Sequence, residues 1–411
     1  SSKSGYDDGL LFIRDGATKD LEYSGETTGQ DWSGVKRVRN ANVDADPQQE
    51  IFVGTSALYN GVLICYDGLT RVEQWRATLP SGQSVASLAV ADVDSDGQLE
   101  VVVGTGVAYS GAPGTFVDVF NATTGAQEWQ SPVLSSGFLP FLRIANVDGD
   151  PNPEIVVAQS SGALFVIDGV THVTNPLPNL QISAMDTADR NADGVSEILI
   201  GTGLGTILVV NPATGAIAEN LGSWGAAIDG LVVANLDGIG APEYVVATGN
   251  ELRVSRAGGC SIWRSGRLGT GVGAYDSLMV ADIDADGRTE IVVNIGPSGL
   301  DIFEVDPSAF GPCCDFVVPG LQDGNFEQGY PWSTWTTQTS TNFGTPLCDL
   351  GRCGTGGGSA APFDGVNWAN RQSGFGLARN HPMRGCAGHS KSVITGRNSV
   401  PNIAAATSVL A

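Results

Sequence analysis

Asp92-Val-Asp94-Ser-Asp96-Gly-Gln98-Leu-Glu100 leads directly into Val101-Val-Val-Gly-Thr105. Oxygen-bearing side chains stand at positions 1, 3, 5 and 9 of this run, and an apolar strand follows it. A short loop with acids at alternate positions wraps a hard cation such as Ca²⁺. Five relatives of the run recur: Asn42-Val-Asp44-Ala-Asp46-Pro-Gln48-Gln-Glu50, Asn146-Val-Asp148-Gly-Asp150-Pro-Asn152-Pro-Glu154, Asp189-Arg-Asn191-Ala-Asp193-Gly-Val195-Ser-Glu197, Asn235-Leu-Asp237-Gly-Ile239-Gly-Ala-Pro-Glu243 and Asp282-Ile-Asp284-Ala-Asp286-Gly-Arg288-Thr-Glu290. Their starts lie 50, 54, 43, 46 and 47 residues apart. That period is the signature of a propeller.

The rest of each unit agrees. After the Glu comes a strand apolar on both faces, such as Ile155-Val-Val-Ala158 or Ile291-Val-Val-Asn294, as expected where neighbouring blades sandwich it. A second strand follows, for example Val62-Leu-Ile-Cys65-Tyr66, and ends in an Asp-Gly or Thr-Gly turn. An outer strand with a Trp (Trp75, Trp129, Trp263) often closes the unit. An inner strand, such as Ser87–Ala91 or Ser277–Ala281, precedes the acidic run. Four strands in about 48 residues make one blade. The N-terminus holds only the back half of a unit, Leu10–Gly16 and Leu21–Tyr23, and the last unit lacks its outer strand. The N-terminal strands are therefore expected to complete the final blade and close the ring. The fold class is all-β: six four-stranded blades, with seven as the alternative.

The combination of inner strand, Asp-x-Asp-x-Asp-Gly-x-x-Glu and Val-Val-Gly-Thr resembles the FG-GAP/VCBS-type repeats of integrin-alpha-like propellers, over about residues 1–310. The literal Phe-Gly and Gly-Ala-Pro dipeptides of that family are mostly absent. The resemblance implies that each loop joins the first two strands of a blade and holds Ca²⁺. The ligand role then falls on Asp92, Asp94, Asp96, Gln98 and Glu100; Asp282, Asp284, Asp286, Arg288 and Glu290; and Asp189, Asn191, Asp193, Val195 and Glu197. It extends to Asn42, Asp44, Asp46, Gln48 and Glu50, and to Asn146, Asp148, Asp150, Asn152 and Glu154. Gly at position 6 permits positive φ in a sharp turn, which makes the loops at Asp92, Asp189 and Asp282 the strong ones. Pro47 and Pro151 fix φ near −65°, so those two loops turn differently or bind more weakly. Ile239 replaces an oxygen, so the fifth loop is expected to be empty. Metal-free Asx turns are the competing account of any single loop. Where calcium is held, its expected role is to stiffen the blades.

Composition restricts the function. The chain has 44 acids against 21 bases, a formal charge of −23. Such a surface repels nucleic acid and anionic membrane, and six divalent ions would offset about half of that charge. No apolar run is long enough for a spanning helix. The start at Ser1 and the weak-site calcium loops point to a processed, secreted or cell-surface protein. Cys65 is expected to be a buried small apolar residue; a local Cys348–Cys353 disulfide fits an exported protein.

Three regions follow: the propeller at 1–312, a segment at 313–370, and a tail at 371–411. The middle segment, with Asp323-Gly-Asn325-Phe326-Glu327, Trp332, Trp335 and Gly365-Val-Asn-Trp368, resembles the opening of bacterial secreted jelly-roll modules, some of which bind carbohydrate. Asp364 is the last acid, and residues 371–411 carry Arg371, Arg379, Arg384, Lys391 and Arg397. That tail reads as a basic binding segment, as disorder, or as an out-of-frame stretch.

Catalytic constellations are not evident. The three His flank no Ser or Cys in a nucleophile context, and no glycine-rich phosphate loop opens a helix. Arg76, Trp224 and Arg256 are candidates for a binding face, with core packing the commoner role of such a Trp. The first expectation is a non-enzymatic, extracellular calcium-binding propeller for adhesion or glycan binding, with an extracellular protein or glycan as partner. A structural subunit that self-assembles is the second, and a secreted polysaccharide-degrading enzyme the third.

Overall fold

The computed structural model describes residues 9–310, apart from 27–32, 45, 58–59, 81, 110, 250, 258–259, 269–276 and 296–298, together with 347–349 and 367–369. The fold is an all-β propeller ring of six antiparallel blades. After an N-terminal hairpin of β1 (Leu10–Arg14) and β2 (Leu21–Glu26), the first blade is β3 (Ser33–Ala41), β4 (Glu50–Ala57), β5 (Val62–Tyr66) and β6 (Glu73–Thr78). The second is β7 (Gln83–Ala91), β8 (Glu100–Val107), β9 (Val117–Asn121) and β10 (Gln127–Gln130); the third is β11 (Phe141–Ala145), β12 (Glu154–Ala158), β13 (Leu164–Asp168) and β14 (Thr174–Leu177). The fourth is β15 (Ala184–Ala188), β16 (Glu197–Gly201), β17 (Thr206–Val210) and β18 (Ile217–Ser223); the fifth is β19 (Ile228–Ala234), β20 (Glu243–Thr248), β21 (Glu251–Arg256) and β22 (Cys260–Arg267). The sixth shows β23 (Leu278–Ala281), β24 (Glu290–Asn294) and β25 (Leu300–Glu304) among the described residues.

The second strand of each blade is buried on both faces because it is packed between two neighbours. Val101 and Val103 face the first blade, in one cluster with Phe52, Leu63 and Cys65. Val102 between them faces the third blade, with Leu142 and Ile155. The same alternation joins blades three to four, four to five and five to six. Burying one such Val or Ile contributes about 1.5–3 kcal/mol, so the core is a circle of interfaces between blades. Trp75 adds a polar tie, donating Nε1–H to the Ala122 carbonyl of the next blade at 2.9 Å.

The hairpin departs from the expected closure. Among the described residues β1 and β2 pair with each other and not with β25. Leu11 and Ile13 instead pack on Val35, Val38 and Ile51 of the first blade. At the other side, a Cβ on Gly16 would run into the Ile283 carbonyl of the sixth blade. The hairpin thus packs its apolar face on blade one, and its turn at Gly16 comes up against the Ile283 backbone of blade six. Beyond the ring, β26 (Leu347–Asp349) and β27 (Asn367–Ala369) pair antiparallel. The remainder of 313–370, the whole tail at 371–411 and the Cys348–Cys353 pairing lie outside the described residues.

Candidate metal centre

All six acidic runs connect the first and second strands of a blade. Each is pinned by one hydrogen bond that sequence reasoning did not foresee. The peptide N–H at position 2 donates to Oε2 of the Glu at position 9: Val43 to Glu50 at 2.7 Å, Val93 to Glu100 at 2.8 Å, Val147 to Glu154 at 2.7 Å. Arg190, Leu236 and Ile283 do the same to Glu197, Glu243 and Glu290 at 2.9, 3.0 and 2.9 Å. The closing Glu is therefore half committed to folding the loop, and only Oε1 is left to meet a cation.

In three loops an Asp at position 1 is matched to a Gly at position 6 for a physical reason. Gly97, Gly194 and Gly287 adopt φ of +88°, +90° and +86°. Their N–H groups donate to Oδ2 of Asp92, Asp189 and Asp282 at 3.0, 2.9 and 2.9 Å. A Pro has no N–H to give. In the Pro loops position 1 is Asn, whose Nδ2 donates to the position-5 carbonyl: Asn42 to Asp46 at 2.8 Å, and Asn146 to Asp150. The Pro loops do turn differently, yet they still gather their acids.

Four loops bring carboxylate oxygens within 4.8 Å of one another: Asp92, Asp94 and Asp96; Asp148, Asp150 and Glu154; Asp282, Asp284 and Glu290; and Asp44 and Asp46 with Asp67. Asp67 comes from the end of β5 and was readable in the sequence only as a turn residue. Its Oδ1 does make that turn, accepting the N–H groups of Leu69 and Thr70 at 3.0 and 2.6 Å. The fourth loop differs: the Asn191 amide donates to Asp193 Oδ2 at 2.9 Å and Glu197 Oε1 at 3.0 Å, spending those oxygens internally. In the fifth, Asp237 and Glu243 lie beside Arg256, and Ile239 is 75% exposed. Gln48, Gln98, Asn152, Val195 and Arg288 occupy position 7 of their loops, and each N–H there donates to Oδ1 of the position-5 Asp, at 2.7 to 2.9 Å.

The electrostatics match a cation site. Glu50 and Glu154 are buried, and Oε1 of each has no hydrogen-bond partner. An orphaned buried carboxylate oxygen is costly unless a proton or cation meets it. Burial accordingly raises Glu50, Glu154, Glu243 and Glu290, and pushes Glu100 up to about 7. Oxygen-only donors at this density suit a hard divalent ion.

The other candidates resolve simply. Trp224 is buried and donates to Ser255 Oγ at 3.2 Å, so it is core. Arg76 pairs with Glu73 on its own strand. Cys65 is buried and burial pushes its thiol up, as expected of an inert residue. His172 stacks on Trp129 at 4.3 Å, across blades two and three. On the inner strands Arg143 Nε donates to Asp186 Oδ1 at 2.8 Å, and Asp186 Oδ2 accepts from Val233 N–H, tying three blades. No described helix is long and apolar enough to cross a membrane.

Fold and loops together define a six-bladed propeller whose blades carry acidic, cation-shaped loops on one rim. No protein-family model matches the chain, and no curated protein matches it. Solved structures similar to it include BBS1N in complex with ARL6DN, at 11% identity over 66% of this chain and 77% of that one, TM-score 0.48. Saccharomyces cerevisiae Sqt1 is similar at 14% identity over 75% and 80%, TM-score 0.46. The V. cholerae biofilm matrix protein Bap1 is similar at 17% identity over 65% and 49%, TM-score 0.42.

Proposed function

We propose that this protein is a secreted or cell-surface, non-enzymatic binding module whose propeller is stiffened by Ca²⁺. The observation that carries the metal reading is the pair of buried, unpartnered Oε1 atoms of Glu50 and Glu154, the latter within a converging carboxylate group. Where a loop gathers carboxylates, they come from one blade's own loop and strand ends, which supports a structural role for the ion. Its closing Glu also begins the buried second strand, so an ion there braces the strand that both neighbours pack on. Partners of the extracellular kind, a protein or a glycan, would meet the propeller away from these loops. The shallow axial recess that Phe141, Arg143, Asp229 and Ser277 help to line is one place to look. Calorimetric titration with calcium tests the metal, and a glycan array with and without calcium tests the partner class. Absence of any calcium heat, with an unchanged Tm in chelator, sinks the metal reading.

A further inference from the structure

One residue outside the acidic run faces each closing Glu across the ladder to the blade's third strand. It is Asn121 opposite Glu100, Asp168 opposite Glu154 and Glu304 opposite Glu290. One step past the paired residues, the same place falls to Asp67 in the first blade, Asn211 in the fourth and Arg256 in the fifth. Five of the six carry a side-chain oxygen there. The fifth blade alone carries a positive charge.

Arg256 sits where an ion would. Its Nη2 donates to Asp237 Oδ2 at 3.2 Å, and its Nε lies 3.7 Å from Glu243 Oε1. Asp237 and Glu243 hold positions 3 and 9, and their side chains are 7% and 1% exposed. Oε2 of Glu243 is already used by Leu236 N–H. The guanidinium therefore meets the one oxygen that stays orphaned in Glu50 and Glu154. Ile239 removes the position-5 ligand in the same loop.

We propose that Arg256 is a tethered cation replacing the metal ion in the fifth blade. The contrast rests on the calcium reading of the other loops; the role of Arg256 does not. A guanidinium is always charged and presents a planar fork that spans two carboxylates. Being tethered, it neutralises them at any calcium concentration. Asp67 is the opposite case: it adds a carboxylate to Asp44 and Asp46, in a loop whose Pro47 removes a donor. One blade is thus braced independently of calcium.

The test compares Arg256→Gln, Arg256→Lys and the double variant Arg256→Asn with Ile239→Asp, by Tm in chelator and by calcium titration. Arg256→Gln should lower Tm in chelator by roughly 4–8 °C, with Arg256→Lys between it and wild type. The double variant should bind one calcium more than wild type. An Arg256→Gln protein with wild-type Tm in chelator overturns the proposal, as does a folded double variant with no added site. If wild type binds no calcium, the calcium reading fails, and the chelator Tm series still decides the role of Arg256.

Discussion

The third and fifth loops share length, start with Asn and close on a buried Glu, yet they handle the same charge in opposite ways. In the third, Asp148, Asp150 and Glu154 converge, and Glu154 Oε1 has no partner within the protein. In the fifth, Arg256 reaches in from the third strand to Asp237 and Glu243. The closing Glu is retained in both because its Oε2 folds the loop. What varies is Oε1, which faces Arg256 in the fifth loop and has no partner in the third. The loop architecture is thus the same whether Oε1 faces a guanidinium or has no partner within the protein.

The largest effect should come from removing calcium altogether. Each ion held at a hundredfold excess over its Kd contributes about 3 kcal/mol, so chelation should lower Tm by at least ~10 °C, seen by calorimetry. Next, Glu154→Gln and Glu243→Gln should separate the two loops. Glu154→Gln should lower Tm by several degrees in calcium and leave it equal or higher in chelator, because a neutral amide is cheaper to bury than an orphaned carboxylate. Glu243→Gln should destabilise in both conditions, since Arg256 loses a partner whether or not calcium is present.

A third comparison involves an acid outside the loops. Asp118 is fully buried on β9, accepts Gln127 and Gln130 side-chain amides on one oxygen, and leaves the other unpartnered. Burial pushes it up to about 6 from 3.8. The folded state holds this proton more tightly than the unfolded one. Its stabilisation is complete below about pH 4 and is lost as pH rises through 6, by about 3 kcal/mol. Asp118→Asn should flatten that slope in denaturant melts and stabilise the protein at pH 8. The smallest effect belongs to Trp75→Phe, which removes the tie to Ala122 and should cost about 1 kcal/mol.

Much of this was legible because it is local. The period of the acidic runs gave the propeller, and strands apolar on both faces gave the sandwiched blades. Gly97, Gly194 and Gly287 were readable as left-handed turn residues. Arg256 and Asp67 were not readable as parts of the loops: each lies well downstream of its closing Glu, and only the ladder register brings them together. For Trp224 the sequence left a binding-face role open beside the commoner core role, and the turn after β18 folds it into the core beside Ile228 and Tyr244. The hairpin β1–β2 was legible as strands, while its place was not, because packing on the first blade replaces ladder pairing with the last.

The most direct measurement is an anomalous difference map from crystals grown with terbium in place of calcium. It should show peaks inside the loops starting at Asn42, Asp92, Asn146 and Asp282, with Arg256 and no peak between Asp237 and Glu243. A peak in the fifth loop, or no peak in any loop, would contradict the account.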